Sequence, residues 1–293
     1  MDMKRNFRFS SLMFALFGWC FSLWAQPSAD FEIKLPACDG SQSSEVATLR
    51  LFLPVDVPGT GRIVIACPGG AYQHLAYDHE GIGWASFFNN QGIALAVLKY
   101  RMPCGNRTLP MADLKTAITM VRDSAYAWGI NPHDVGVMGS SAGGHLASTA
   151  ACHFDKKTRP DFQILFYPII TMDEKRTNRA TRQNFLGMNP ADELVMKYSN
   201  ELQVNAKTPR AFIARSKNDS PAGSDAYYRA LLDNGVPAEY HVYPSGGHGW
   251  GIKKSFPHRE QMLDELTTWL KSFQQVTKKG RGGKRKAFKK QNN

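Results

Sequence analysis

The sequence predicts an α/β protein, with a mostly parallel central sheet, helices on both faces and a small cap or lid insertion around 171–206. Three observations predict it. Short apolar runs closed by Gly, Pro or polar turns recur along the body, as they do for strands buried on both faces. Stretches with apolar residues three and four apart alternate with those runs, as helices covering a parallel sheet require. A Gly-x-Ser-x-Gly pentapeptide joins one such run to one such stretch.

Each element follows from its residues. Arg62-Ile63-Val64-Ile65-Ala66-Cys67 reads as a buried strand ended by Pro68-Gly69-Gly70, and Ile93-Ala94-Leu95-Ala96-Val97-Leu98 as a second. From Met111 to Trp128 the apolar positions Leu114, Ala117, Ile118, Val121 and Ala125 lie on one helical face. Gly129 caps that helix, and Asn131-Pro132 stops it. Val135-Gly136-Val137-Met138 is the strand that leads into the pentapeptide, and residues 162–167 and 210–214 are further strands. A helix is expected over 226–232 with Gly235 past its end, an alternating strand over 239–243, and an amphipathic helix over 259–273. Residues 171–206 break the alternation with a charged segment followed by a helix from Pro190 to Tyr198. Such an excursion is either a lid or substrate-binding cap, or a solvated surface decoration.

Charge is localised rather than spread. Of the formal +11, +8 sits in residues 278–293 and a net +2 in the first eight residues, so the body is close to neutral. No basic face is implied, and nucleic acid is not an expected partner. The tail from 276 onward has one aromatic residue, Phe288, and no periodicity, the pattern of a solvated disordered appendage. At the other end Lys4, Arg5 and Arg8 precede the apolar run 12–21 and the small residue Ala25. That is the form of a secretory signal peptide cut after Ala25. The run is shorter than the roughly 20 apolar residues of a spanning helix, so export to the periplasm or beyond is expected, without stable membrane insertion. Three segments result: a leader over 1–25, a catalytic domain over 26–275 and the basic tail over 276–293.

Of five cysteines, cleavage leaves Cys38, Cys67, Cys104 and Cys152, whose irregular spacing compels no disulfide. No C-x-x-C or zinc pattern is present and the histidines are scattered, so neither a metal nor a cofactor is expected.

The pentapeptide Gly139-Ser140-Ser141-Ala142-Gly143 carries the chemistry. A serine on a sharp strand-to-helix turn sits in a strained backbone conformation that lifts its hydroxyl out of the sheet, and flanking side chains would clash with the turn. The helix N-terminus behind it presents N–H groups to a developing oxyanion. A serine hydroxyl needs a base within reach and an acid to orient that base. In strand-turn-helix hydrolases the chain order is Ser, acid, His, and this chain offers Ser141, Asp219 and His248. His248 lies in the glycine-rich loop Ser245-Gly246-Gly247-His248-Gly249-Trp250-Gly251, just after a strand. His241 sits mid-strand, and His145 falls one turn into the helix after Ser141, where it shapes the site or packs. Asp219 follows the 210–214 strand, at the carboxyl end where ligands gather in open α/β sheets. Its rival Asp225 reads as a helix N-terminal residue. Oxyanion donors are expected from the N–H groups of Ala142, Gly70 and Ala71, and Tyr72 and Trp250 are candidate substrate contacts beside them.

Cys67-Pro68-Gly69-Gly70-Ala71-Tyr72, Lys99-Tyr100-Arg101, Trp128-Gly129-Ile130-Asn131-Pro132, the extended Ser141 motif through Ala147, and Gly246-Gly247-His248-Gly249 occur in that order. Together they resemble the acetyl esterase/lipase branch of the α/β-hydrolase superfamily, which includes bacterial acetylxylan esterases. The resemblance spans roughly residues 49–273. Relatives more often carry a third glycine where this chain has Ala71, and their acid-bearing loop is usually longer than the one after Asp219. The resemblance implies an α/β-hydrolase fold and serine carboxylic ester hydrolysis through an acyl-enzyme, with an acetylated polysaccharide or oligosaccharide as substrate. Two alternatives remain: a serine peptidase of the prolyl-oligopeptidase type, and a non-catalytic carbohydrate-associated protein on the same fold.

Overall fold

Among the described residues eight strands form one sheet, whose central strands alternate their side chains between two apolar layers. The computed structural model describes residues 30–36 and 46–273. The expected leader, Cys38 and the basic tail from 276 lie outside these. In chain order the elements are β1 (Asp30–Lys34), β2 (Thr48–Phe52), β3 (Ile63–Cys67), α1 (Ala85–Asn89), β4 (Ala94–Lys99), α2 (Thr108–Asp123), α3 (Ala125–Trp128), β5 (Val135–Ser140) and α4 (Ser141–His153). There follow β6 (Phe162–Phe166), α5 (Arg179–Leu186), α6 (Asp192–Tyr198), β7 (Ala211–Ser216), α7 (Ser224–Asp233), β8 (Ala238–Tyr243) and α8 (Arg259–Ser272). The strand order is β1-β2-β4-β3-β5-β6-β7-β8. β2 runs antiparallel to both its neighbours, and every pairing from β4 to β8 is parallel.

The parallel strands are apolar at consecutive positions because both of their faces are covered. Ile63, Ile65, Val135, Val137 and Leu165 point into a core closed by Leu114, Ile118 and Val121 of α2, Leu146 of α4 and Leu231 of α7. Val64, Ala66, Met138, Ile164 and Phe166 point the other way, into a core closed by Trp84, Phe88 of α1, and Met262, Leu266 and Trp269 of α8. Gly129 caps α3 in the left-handed conformation, at φ +65°.

Two differences from the sequence reading have physical causes. The expected helix over 111–128 breaks at Ser124 into α2 and α3. Residues 171–206 contain a second helix, α5, whose sequence is mostly polar because only Thr181, Phe185 and Leu186 turn inward. The excursion is not a solvated decoration. Phe185, Leu186 and Tyr198 are buried in the main core. Asn200 donates to Ser148 Oγ and Thr149 Oγ1 of α4 at 2.8 and 3.0 Å. Cys67, Cys104 and Cys152 are free thiols. No helix among the described residues is long and apolar enough to cross a membrane.

Candidate active site

The carboxyl ends of β3, β5, β7 and β8 deliver the candidate groups to one rim of the sheet. Ser140 ends β5 in extended backbone, and Ser141 follows at φ +52° before α4 continues in regular helix. A non-glycine residue in that region is strained, and the surrounding packing holds it there. The packing leaves no room for side chains on either side. A methyl on Gly139 would lie 2.2 Å from the Gly143 carbonyl oxygen, and one on Gly143 would lie 1.9 Å from that of Cys67.

Three side chains meet at the rim. His248 Nε2 is 2.8 Å from Ser141 Oγ, and His248 Nδ1 is 2.7 Å from Asp219 Oδ2. A carboxylate only accepts, so Nδ1 carries the proton and Nε2 is left to accept from the serine hydroxyl. The second oxygen of Asp219 accepts from Ser220 N–H at 2.8 Å, which fixes the carboxylate plane. Asn218 Oδ1 accepts from Gly247 N–H at 2.9 Å, tying the acid loop to the histidine loop. This residue was not anticipated from the sequence, and its only signal is its place beside Asp219. The imidazole remains 43% exposed while the carboxylate is 11% exposed, so the ring opens to solvent over a shielded carboxylate. Asp225 lies apart from this chain: its carboxylate accepts from the Tyr240 hydroxyl and pairs with Arg215. His241 is likewise engaged elsewhere, with Glu239 and Glu265.

The loop after β3 passes directly against the serine. A methyl on Gly69 would lie 2.9 Å from Ser141 Cβ. Gly70, Ala71 and Tyr72 all have positive φ, at +129°, +53° and +57°. Successive residues of that kind turn backbone N–H groups into a concavity suited to an anion. Gly69 N–H is taken by Glu80 Oε2 at 2.7 Å. Among the described residues, the N–H groups of Gly70 and Ala71 have no protein acceptor. Ala142, second in α4, has no carbonyl one turn back within its helix. These three donors are available to a ligand oxygen.

The structure corrects the two candidate substrate contacts. Tyr72 is 1% exposed, stacks on Phe185 with ring centroids 4.9 Å apart, and hydrogen-bonds His145 Nδ1 at 3.0 Å. Trp250 is 3% exposed, stacks on Phe256 at 4.2 Å and donates to Ser216 Oγ. Both rings lie in the cores beneath the rim, because aromatic rings bury more apolar area there than any exposed loop offers. Tyr72 instead anchors the strained loop. Asn184 Nδ2 of α5 donates to the Ala71 carbonyl at 2.8 Å, so the 171–206 excursion holds the same loop from above.

His145 is the buried keystone of that anchorage. Its Nε2 faces the Tyr198 carbonyl at 2.9 Å and must donate, so Nδ1 accepts from the Tyr72 hydroxyl. Burial pushes its pKa down from 6.5 to about 4. Between those values the unfolded chain takes up a proton that the folded chain refuses, so stability falls as pH drops through this window. The contribution is about 3 kcal/mol, at roughly 1.4 kcal/mol per unit. Urea unfolding of wild type and His145→Gln at pH 7 and pH 4.5 measures it. The wild type is expected to lose the larger share of its stability, and an equal loss in both proteins excludes His145 as the origin.

A family profile described as alpha/beta hydrolase fold matches residues 83–252. The chain belongs to the α/β-hydrolase fold family. Among solved structures it is similar to an acetyl ester-xyloside bifunctional hydrolase from Caldicellulosiruptor lactoaceticus. That similarity has a TM-score of 0.72 and 31% identity, covering 78% of this chain and 89% of the other. Two curated relatives are similar in sequence. An acetylxylan esterase of Xylanibacter ruminicola is 39% identical over 86% of this chain and 52% of its own length. An endo-1,4-beta-xylanase B of Butyrivibrio fibrisolvens is 32% identical over 64% of this chain and 32% of its own. The chain thus spans about half the length of the first and about a third of the second.

Proposed function

We propose that this α/β-hydrolase is an exported serine carboxylic ester hydrolase that removes acetyl groups from plant polysaccharide or its oligosaccharides, with xylan the first candidate. The observation that carries the chemistry is the unbroken hydrogen-bonded chain from Ser141 through His248 to Asp219, beside a loop with unengaged N–H donors. Ser141 Oγ attacks the ester carbonyl while His248 Nε2 accepts its proton, and the imidazolium formed is stabilised by Asp219. The carbonyl oxygen becomes an oxyanion received by the N–H groups of Gly70, Ala71 and Ala142. Collapse of this intermediate breaks the bond to the sugar oxygen, which leaves with the proton from His248. Ser141 then carries the acetyl group. Water attacks it and gives one proton to His248; that proton returns to Ser141 Oγ as the bond to the acetyl carbon breaks, and acetic acid departs and ionises in solvent.

The substrate class rests on similarity to the Xylanibacter acetylxylan esterase and on the exposed imidazole, which suits an ester on a bulky polymer. Export rests on the basic and apolar pattern before Ala25. The test is hydrolysis of p-nitrophenyl acetate, butyrate and octanoate beside acetate release from acetylated xylan. Falling turnover with chain length, together with acetate released from xylan, is expected. Turnover on the aryl esters without release from xylan would remove the polysaccharide substrate and leave the esterase.

A further inference from the structure

One buried carboxylate has no part in the chemistry above. Glu80 is 4% exposed and lies beyond the oxyanion loop, just before a 3₁₀ turn at Ile82–Trp84. Burying an ionised carboxylate is costly unless each oxygen finds a donor. His79 Nε2 stands 3.9 Å away, beyond hydrogen-bond reach, so hydrogen bonds from other donors must do most of this.

The donors come from two different loops. Glu80 Oε2 accepts from Gly69 N–H at 2.7 Å, and Oε1 accepts from the Tyr167 hydroxyl at 2.8 Å. The phenolic oxygen of Tyr167 in turn accepts from Gly251 N–H at 2.8 Å. Gly69 is the residue before the candidate oxyanion donors, and Gly251 belongs to the loop that carries His248. The Tyr167 ring itself lies against the imidazole, with centroids 4.8 Å apart. Tyr167 is held at φ +36° just past β6, a strained position that brings its side chain beneath the rim. A second link runs parallel to the first: Ile252 N–H donates to the His79 carbonyl at 2.9 Å.

The consequence is geometric. The base and two of the three oxyanion donors, Gly70 and Ala71, sit on separate loops, after β8 and after β3, which are not neighbours in the sheet. Their relative position depends on what spans the gap, and Glu80 with Tyr167 spans it. By taking Gly69 N–H, the carboxylate also fixes the Pro68–Gly69 peptide, one unit before the peptide that carries the Gly70 N–H. We propose that Glu80, acting through Tyr167, is a positioning residue of the hydrolytic site that holds the oxyanion loop and the His248 loop in register. This rests on the reading of Ser141, His248 and Asp219 as catalytic.

Glu80→Gln keeps the shape but puts an amide donor against one of two donors. Tyr167→Phe cuts the link to Gly251 while leaving the ring against His248. Steady-state hydrolysis of p-nitrophenyl acetate, inhibition by a trifluoromethyl ketone that forms a tetrahedral adduct, and thermal unfolding are measured on both variants and their combination. Misplacing a catalytic group by about 1 Å costs on the order of 10²-fold. The expected result is therefore a fall in kcat of about 10–100-fold at unchanged KM. The ketone should weaken in parallel with kcat. Because both substitutions break one path, the double variant should fall no further than Glu80→Gln alone. Unchanged kcat in Tyr167→Phe, or effects that multiply in the double variant, overturns the proposal even if Glu80→Gln does not fold. Ser141→Ala, run alongside, separates the two failures. Activity surviving there removes the catalytic assignment itself, whereas activity lost there and intact in Glu80→Gln removes only the role of Glu80.

Discussion

Ser141→Ala is expected to lower kcat on p-nitrophenyl acetate by about 10⁶-fold, the scale seen when a serine hydrolase loses its nucleophile. Among the described residues no other hydroxyl is hydrogen-bonded to His248, so none is placed to take over. The residual rate should come from the oxyanion donors and substrate binding alone. Folding should be nearly untouched. Alanine meets the same strain as serine at φ +52°, and the exposed imidazole exchanges one hydrogen bond for water. A change within about 0.5 kcal/mol is the expectation for such a site. Substantial activity in a folded Ser141→Ala protein would mean that the ester bond is broken elsewhere.

Asp219→Asn is expected to cost about 10⁴-fold in kcat with the geometry intact. The loss has a specific origin. The amide can keep its bond from Ser220 N–H through its oxygen, which turns its NH₂ group toward His248 Nδ1. The imidazole must then carry its proton on Nε2, facing Ser141 with a donor where an acceptor is required. Asp225→Asn is the matched control and should change kcat by less than about threefold, since its carboxylate engages Tyr240 and Arg215 and does not touch His248. A large loss in Asp225→Asn with little in Asp219→Asn would reverse the choice of acid.

The parallel strands were legible because burial on both faces makes a strand read as an unbroken apolar run, as β3 and β4 do. Helix α5 was not, since most of its surface stays polar and its three inward residues form no pattern long enough to stand out. Gly139 and Gly143 were informative for the reason the structure displays: each faces a carbonyl oxygen at under 3 Å from where a side chain would begin. Asp219 could be preferred over Asp225 from its position after a strand, yet both are acids near one loop. Only the distance to His248 Nδ1 separates them.

Residue order alone therefore made local features readable: the central parallel strands, most of the covering helices, and the one turn that needs glycine at two fixed positions. These follow from backbone sterics and apolar periodicity, which act over a few residues. The tertiary structure decided which way side chains point and which loops share a hydrogen bond. It buried Tyr72 and Trp250 beneath the rim, packed the 171–206 excursion onto the loop after β3, and brought Glu80 between Gly69 and Tyr167. A glutamate in a polar loop has no periodicity to betray it. Its partners are 11 and 87 residues away in the chain and meet it only because the strand order brings their loops together.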